Sequence, residues 1–152
     1  MVEEKEIIVR KIENGIVIDH IPKMSSSKII QMLHLYDKFE FYTGINCNSG
    51  KIGKKDFIKI VNGDVSNEEL NKIALVAPGA TVMRIKDFEI VEKIQITISG
   101  EIANIVKCPN IGCITNQEPY KITHFIKLSE KPMKIKCKFC EGIFKEGEFE
   151  FL

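Results

Sequence analysis

The sequence predicts an α+β chain in two parts: an antiparallel sheet carrying two helices, then a short all-β segment closed around a metal. Three observations point there. Strand-like runs rich in Ile and Val alternate with two stretches of helical periodicity as far as residue 98. Four cysteines, Cys108, Cys113, Cys137 and Cys140, fall as two close pairs near the C-terminus. Ser99, Gly100 and Glu101 interrupt the pattern before them, so the chain is expected to divide into residues 1–99 and 100–152.

In the first part, residues 6–12 and 16–18 read as strands separated by the turn pair Asn14-Gly15, and Pro22 stops the second. Ser25, Ser26 and Ser27 offer N-caps to a helix whose stripe is Ile29, Ile30, Met32, Leu33 and Tyr36. Residues 39–46 alternate as a strand, Asn46 to Lys55 read as a polar loop with Gly50 and Gly53, and residues 56–61 resume as a strand. Ser66 and Glu69 form a capping-box pattern before a helix burying Leu70, Ile73 and Ala74, which Pro78 and Gly79 end. Residues 80–85 and 88–98 are rich in β-branched residues and read as strands. Strand, helix, strand, strand, helix, strand is the ferredoxin-like split βαβ order, here with one extra strand.

The second part has no helical stripe. A segment of about 50 residues buries little core, and a metal supplies the missing folding energy. Cys108 and Cys113 have four residues between them, Cys137 and Cys140 have two, and 23 separate the pairs. Four soft thiolates in two short loops suit one tetrahedral Zn2+. With four protein ligands no position stays open for water, so the ion is expected to be structural. The chain has five cysteines, an odd number that argues against a closed disulfide framework and leaves Cys47 as a spare thiol, expected to be buried and inert.

The formal net charge of +1 gives the whole chain no strong pull toward nucleic acid or a membrane. Of 22 basic residues only Arg10 and Arg84 are arginine, which disfavours a sequence-specific DNA reader. No stretch approaches the roughly 18 apolar residues of a membrane helix, and the segment Met1 to Lys11 lacks the apolar run of a signal peptide. A cytoplasmic location is expected. Residues 104–140 hold Lys107, Lys121, Lys127, Lys131, Lys134, Lys136 and Lys138 against Glu118 and Glu130. This mildly basic surface fits docking on a protein partner, a zinc-ribbon contact to RNA or DNA, or a plain scaffold, though it has no aromatic ladder for bases. No nucleophile elbow, phosphate-binding loop or dinucleotide fingerprint occurs, and His20, His34 and His124 are scattered, so no enzyme activity is expected. Lys54, Lys55 and Lys59, with Lys11 and Lys93, could hold an anionic small molecule, and Asp19 could accept from an amino group or a sugar hydroxyl.

Val17 to Pro22 (VIDHIP), Gly53 to Ile60 (GKKDFIKI), Leu75 to Val82 (LVAPGATV) followed by Arg84-Ile85, Val106 to Asn110 (VKCPN), Cys113-Ile114, Glu118-Pro119 and Cys137 to Cys140 (CKFC) occur in this order. The chain thereby resembles the regulatory chain of aspartate carbamoyltransferase over nearly its whole length. The resemblance implies a non-catalytic subunit with an N-terminal nucleotide-binding domain and a C-terminal zinc domain docking on the catalytic chain. It implies regulatory homodimers, and an assembly of six catalytic and six regulatory chains that begins pyrimidine synthesis under control by CTP and ATP. Nucleic acid and membrane are not among the implied partners. Carried onto this sequence, Asp19 would meet ribose or base, Lys59 and Lys93 ribose and triphosphate oxygens, and His20 and Lys55 the phosphates. Lys11, Ile12, Val17, Ile85, Phe88 and Ile90 would line the base pocket. Met83 stands where such chains carry Asn, Phe88 where they carry Tyr, and residues 91–103 differ, which leaves effector preference and the sign of the response open.

Overall fold

The computed structural model describes residues 10–49, 53–98, 100–117 and 122–152. Residues 6–9 of the first expected strand, and Gly50, Ser99, Glu118, Pro119 and Lys121, lie outside the described residues.

The N-terminal part runs β1 (Gly15–Pro22), α1 (Ser26–Met32), α2 (Leu35–Lys38), β2 (Phe41–Ser49), β3 (Gly53–Val61), α3 (Asn67–Val76), β4 (Thr81–Lys86) and β5 (Glu89–Gln95). Its five strands pair antiparallel in the order β2-β3-β1-β4-β5. Without β5 this is the split βαβ order expected from the sequence. Ile16 faces Ile60 and Ile18 faces both Ile58 and Val82, and all five are at most 1% exposed. Directly opposed residues share a face. That face is therefore the core side, where Ile29, Ile30, Ile73, Ala74 and Leu75 of α1 and α3 join the same cluster.

Local chemistry accounts for the boundaries. Ser66 Oγ accepts from Glu69 N–H at 3.1 Å while Glu69 Oε1 accepts from Ser66 N–H at 3.1 Å, closing the capping box expected for α3. Ser25 occupies the N-cap of α1 but makes no side-chain cap. The buried Asp56 on β3 takes that role: its Oδ2 accepts from Ser26 N–H at 3.1 Å and Ser26 Oγ at 2.8 Å. The first helix stops at Leu33 because His34 is left-handed at φ 53°, and Tyr36 falls in the separate turn α2.

Two expectations are corrected. Arg10 to Ile12 are not in a strand, although Ile12 is buried. Asn46 to Lys55 is not a plain loop: β2 extends to Ser49 and β3 starts at Gly53, so both belong to a hairpin. Polar residues suit this exposed end because the backbone ladder holds it, and the bulge between Gly44 and Cys47 is fixed by Asp56 Oδ1 accepting Asn46 N–H at 2.8 Å.

The C-terminal part contains β6 (Glu101–Ala103), β7 (Val106–Lys107), a 3-10 turn (Ile114–Asn116), β8 (His124–Glu130), β9 (Met133–Cys137), β10 (Ile143–Lys145) and β11 (Glu150–Phe151). A four-stranded sheet in the order β10-β9-β8-β6 lies with the pair β11-β7. The whole chain is a two-domain α+β architecture. Lys127 pins the segment between the sheets: its N–H donates to Gly100 O at 2.9 Å and its Nζ to Ile98 O at 3.0 Å, with Glu130 at 2.7 Å balancing the charge. Among the described residues no helix is long and apolar enough to cross a membrane.

Candidate functional site

The sheet face away from the helices carries the polar row. Register places Tyr42, Lys59, Val17, Met83 and Lys93 side by side across all five strands, with Asp19, Thr81 and Gln95 in the next row. A cavity of about 270 Å³ on this face is lined by Lys11, Ile12, Val17, Asp19, Lys59, Met83, Ile85, Phe88 and Ile90. Phe88 is held there by a two-residue turn in which Asp87 and Phe88 both have positive φ, 52° and 67°, the hairpin geometry matching strand twist. Asn14 Oδ1 accepts Asp87 N–H at 3.2 Å and Glu13 O accepts Phe88 N–H at 2.9 Å, so the turn hangs on the segment entering β1.

Eight of the sequence-derived candidates thus converge on one cavity, with Met83 as the ninth lining residue. Three stand beside it. Lys55 Nζ pairs with Asp19 Oδ1 at 2.6 Å, and His20 N–H donates to the same oxygen at 2.8 Å. Lys93 lies opposite Met83 on exposed β5. Burial pushes the Asp19 carboxyl up, but the Lys55 and His20 hydrogen bonds outweigh it and hold the group below its ordinary value of 3.8. Burial lowers the Lys59 ammonium from 10.5, Asp19 opposes this, and Lys11 adds to it. Lys59 Nζ also donates to Arg10 O at 3.0 Å. The arrangement offers ammonium groups beside an apolar patch and one fixed carboxylate, which suits a ligand with an anionic end and a flat apolar body.

Thr81 and Gln95 were not singled out from sequence. Their parity with Asp19 along alternating strands was the available signal.

The second cluster lies in the C-terminal part. The sulfur atoms of Cys108, Cys113, Cys137 and Cys140 all lie within 4.8 Å of one another, with Cys108 to Cys140 at 3.7 Å and Cys113 to Cys137 at 3.8 Å. A disulfide needs about 2.05 Å. A tetrahedral ion with metal–sulfur bonds of about 2.3 Å needs sulfur–sulfur separations of about 3.8 Å. The donor set therefore fits one metal ion. Asn116 Nδ2 donates to Cys108 O and Asn110 O, both at 2.7 Å, clamping the first loop. In the second, Cys137 N–H donates to Gly142 O at 2.9 Å. A Cβ at Gly142 would sit 2.7 Å from the Phe144 ring, which explains the glycine. Burial and neighbouring thiols push Cys108 and Cys137 up; at Cys140 burial is outweighed by hydrogen bonds from Gly142 N–H and Asn110, and its thiol falls to about 7. Four such groups cannot ionise together without a cation, so metal binding displaces protons. Cys47 lies apart from the cluster and is half-buried rather than fully buried.

Comparison with known proteins gives concordant results. Residues 7–97 match the family described as aspartate carbamoyltransferase regulatory chain, allosteric domain, and residues 100–150 match the metal binding domain of the same chain. The aspartate carbamoyltransferase regulatory chain of Sulfolobus acidocaldarius is 40% identical over 146 residues, covering 95% of this chain and 89% of that protein. That of Thermococcus sibiricus is 43% identical over 143 residues, covering 94% and 95%. That of Tolumonas auensis is 39% identical over 145 residues, covering 95% and 94%. With both matched segments spanning the two sheets described above, the chain belongs to the family of aspartate carbamoyltransferase regulatory chains, and its role is regulatory rather than catalytic.

Proposed function

We propose that residues 1–99 bind CTP or ATP and that residues 100–152 hold one structural Zn2+ and dock on a catalytic chain. Nucleotide occupancy then biases the catalytic chain between two quaternary states. The observation that carries this reading is the cavity of about 270 Å³ in which Lys11, Asp19 and Lys59 meet the apolar Ile12, Val17, Ile85, Phe88 and Ile90. The base packs against the apolar group, Asp19 accepts from ribose or base, and Lys59 and Lys93 meet phosphate oxygens, with Lys55 and His20 beyond them. When bound, zinc offsets half the charge of the four thiolates and ties the two loops together. Pairs of this chain join two catalytic trimers into an assembly of six catalytic and six regulatory chains in the cytoplasm. Control requires different nucleotide affinity in the two states, since a ligand binding both equally shifts nothing.

The test is an aspartate saturation curve of the matching catalytic subunit, alone and with this zinc-loaded chain, each with and without CTP and ATP. Assembly with a nucleotide-dependent curve is expected, and its direction reports the sign of each effector. Lys59→Ala is expected to reduce the nucleotide response about tenfold in effector concentration while leaving zinc content unchanged. An unaltered response would remove Lys59 from the site.

A further inference from the structure

The strand that borders the cavity also leads out of its domain. β5, which carries Ile90 and Lys93, ends at Gln95, and residues 96–100 join it to β6 of the metal-binding part. The near end of this link is held by its own domain: Ile96 N–H donates to Ala80 O at 2.9 Å, and Ile96 O accepts Gly79 N–H at 3.3 Å. The far end is held from β8, where Lys127 grips it twice, with its N–H on Gly100 O and its Nζ on Ile98 O. Ile96, Ile98 and Ile102 are buried in one apolar cluster, so the link is packed as well as bonded.

Lys127 stands where an aliphatic side chain would be expected. It lies opposite Ile135, and Glu130 lies opposite Met133; both partners on β9 are fully buried, so the lysine and the glutamate share the core face of β8. Residues three apart on a regular strand point to opposite faces. Here a bulge inserts the exposed Leu128 between Lys127 and Ser129, which returns Glu130 to the face of Lys127 and lets the two pair at 2.7 Å. A charge brought to an apolar face without such a partner is costly. An aliphatic residue opposite Ile135 would complete that face with neither bulge nor ion pair. It would, however, leave the Ile98 carbonyl without the ammonium that reaches it from the other domain.

We infer that Lys127 is a positioning residue for regulation: its ammonium clamps the metal-binding domain to the link that continues β5, so that the two domains turn together rather than hinge at residues 96–100. The source of that movement rests on the nucleotide reading proposed above; the clamp itself does not. Lys127 lies outside both the cavity lining and the sulfur cluster, so replacing it leaves each of those sites its own residues.

The test variant is Lys127→Met combined with Glu130→Gln, which keeps the aliphatic stem and the backbone N–H and leaves no unpaired carboxylate. Glu130→Gln alone and Lys127→Arg are the controls, and Lys127→Gln, shorter and uncharged, makes the same test should the double variant fail to fold. In the zinc-loaded full chain, hydrogen exchange at the residue 127 amide, which Gly100 O protects, is expected to speed up about tenfold in the double variant, with the Cys137 amide unchanged and both controls near wild type. Zinc content and calorimetric CTP affinity are expected to stay unchanged, while the assembly with the catalytic subunit loses the effect of CTP and ATP on its aspartate saturation curve. Equal exchange at residue 127 in variant and wild type would overturn the clamp, and a full nucleotide response despite faster exchange would overturn its regulatory role. If the wild-type assembly ignores CTP and ATP, the nucleotide reading falls, and the exchange rates alone decide whether Lys127 clamps the domains.

Discussion

The two domains solve the same stability problem by different means. The N-terminal one buries Ile16, Ile18, Ile58, Ile60 and Ile73 at no more than 1% exposure between a sheet and helices. The C-terminal one has a smaller apolar set, chiefly Phe125, Met133 and Ile135, and places Cys108, Cys113 and Cys137 in its interior where a larger domain would have aliphatic side chains. A layered core spreads its stability over many contacts, while a four-sulfur centre concentrates it in one ion.

Removing the metal should therefore break the comparison most sharply. Chelation, or Cys137→Ser, is expected to abolish amide protection across β6–β11 while β1–β5 stay protected, since structural zinc in small domains contributes about 10–16 kcal/mol. Hydrogen exchange reads this directly; retained protection after verified metal loss would reject a structural ion. The converse test is Ile58→Ala, expected to cost about 2–5 kcal/mol in denaturant unfolding of the N-terminal domain without lowering metal content.

Asp56→Ala addresses the one buried carboxylate among the described residues, on the apolar side of the sheet. It leaves Ser26 N–H, Ser26 Oγ and Asn46 N–H without their acceptor, a loss of about 1–3 kcal/mol. Burial pushes this carboxyl up, but its hydrogen bonds from Asn46 and Ser26 hold it below 3.8. Its folded pKa being the lower one, its contribution is present above 3.8 and is lost as pH falls through the folded value. Acid titration of stability should show that loss in the wild type and a flatter curve in Asp56→Ala. Smallest is Ser66→Ala, expected to cost about 1 kcal/mol by opening the capping box, measured as a shift in denaturant midpoint.

Local chemistry decided what was legible beforehand. Ser66 and Glu69 are three apart and make their reciprocal bonds within one turn, so sequence spacing alone located that cap. The cysteine pairs were legible for a similar reason, because ligand geometry restricts loop length. The cap of α1 was not, because its acceptor lies 30 residues away on β3. A signal existed in the alternation of Asp56, Ile58 and Ile60, which puts the carboxylate on the core face. The extent of the β2–β3 hairpin was also hidden, since the polar residues Asn48, Lys54 and Lys55 carry no apolar alternation and are held by backbone pairing. For the candidate site, the lysines scattered from residue 11 to 93 were legible as possible anion holders, the resemblance to known chains assigned them roles, and strand register brings Lys59 and Lys93 into one row. His20, Lys55 and Lys93 stand beside the cavity, the first two tied to Asp19 at its edge.

The buried carboxylate has a consequence for how the chain finds its fold. A strand displaced by one residue presents its opposite set of side chains to the core. Were β3 displaced so, Lys55, Phe57 and Lys59 would turn inward, and Asp56 would lose Ser26 and Asn46 together. Two lysines driven into an apolar layer cost far more than any single bond returns. Asp56 thus works as a proofreading mark: it fits at one alignment of the hairpin against α1 and penalises its nearest neighbours. The spacing of Lys55 and Lys59 on the opposite face is fixed by the same residue that closes the core behind it.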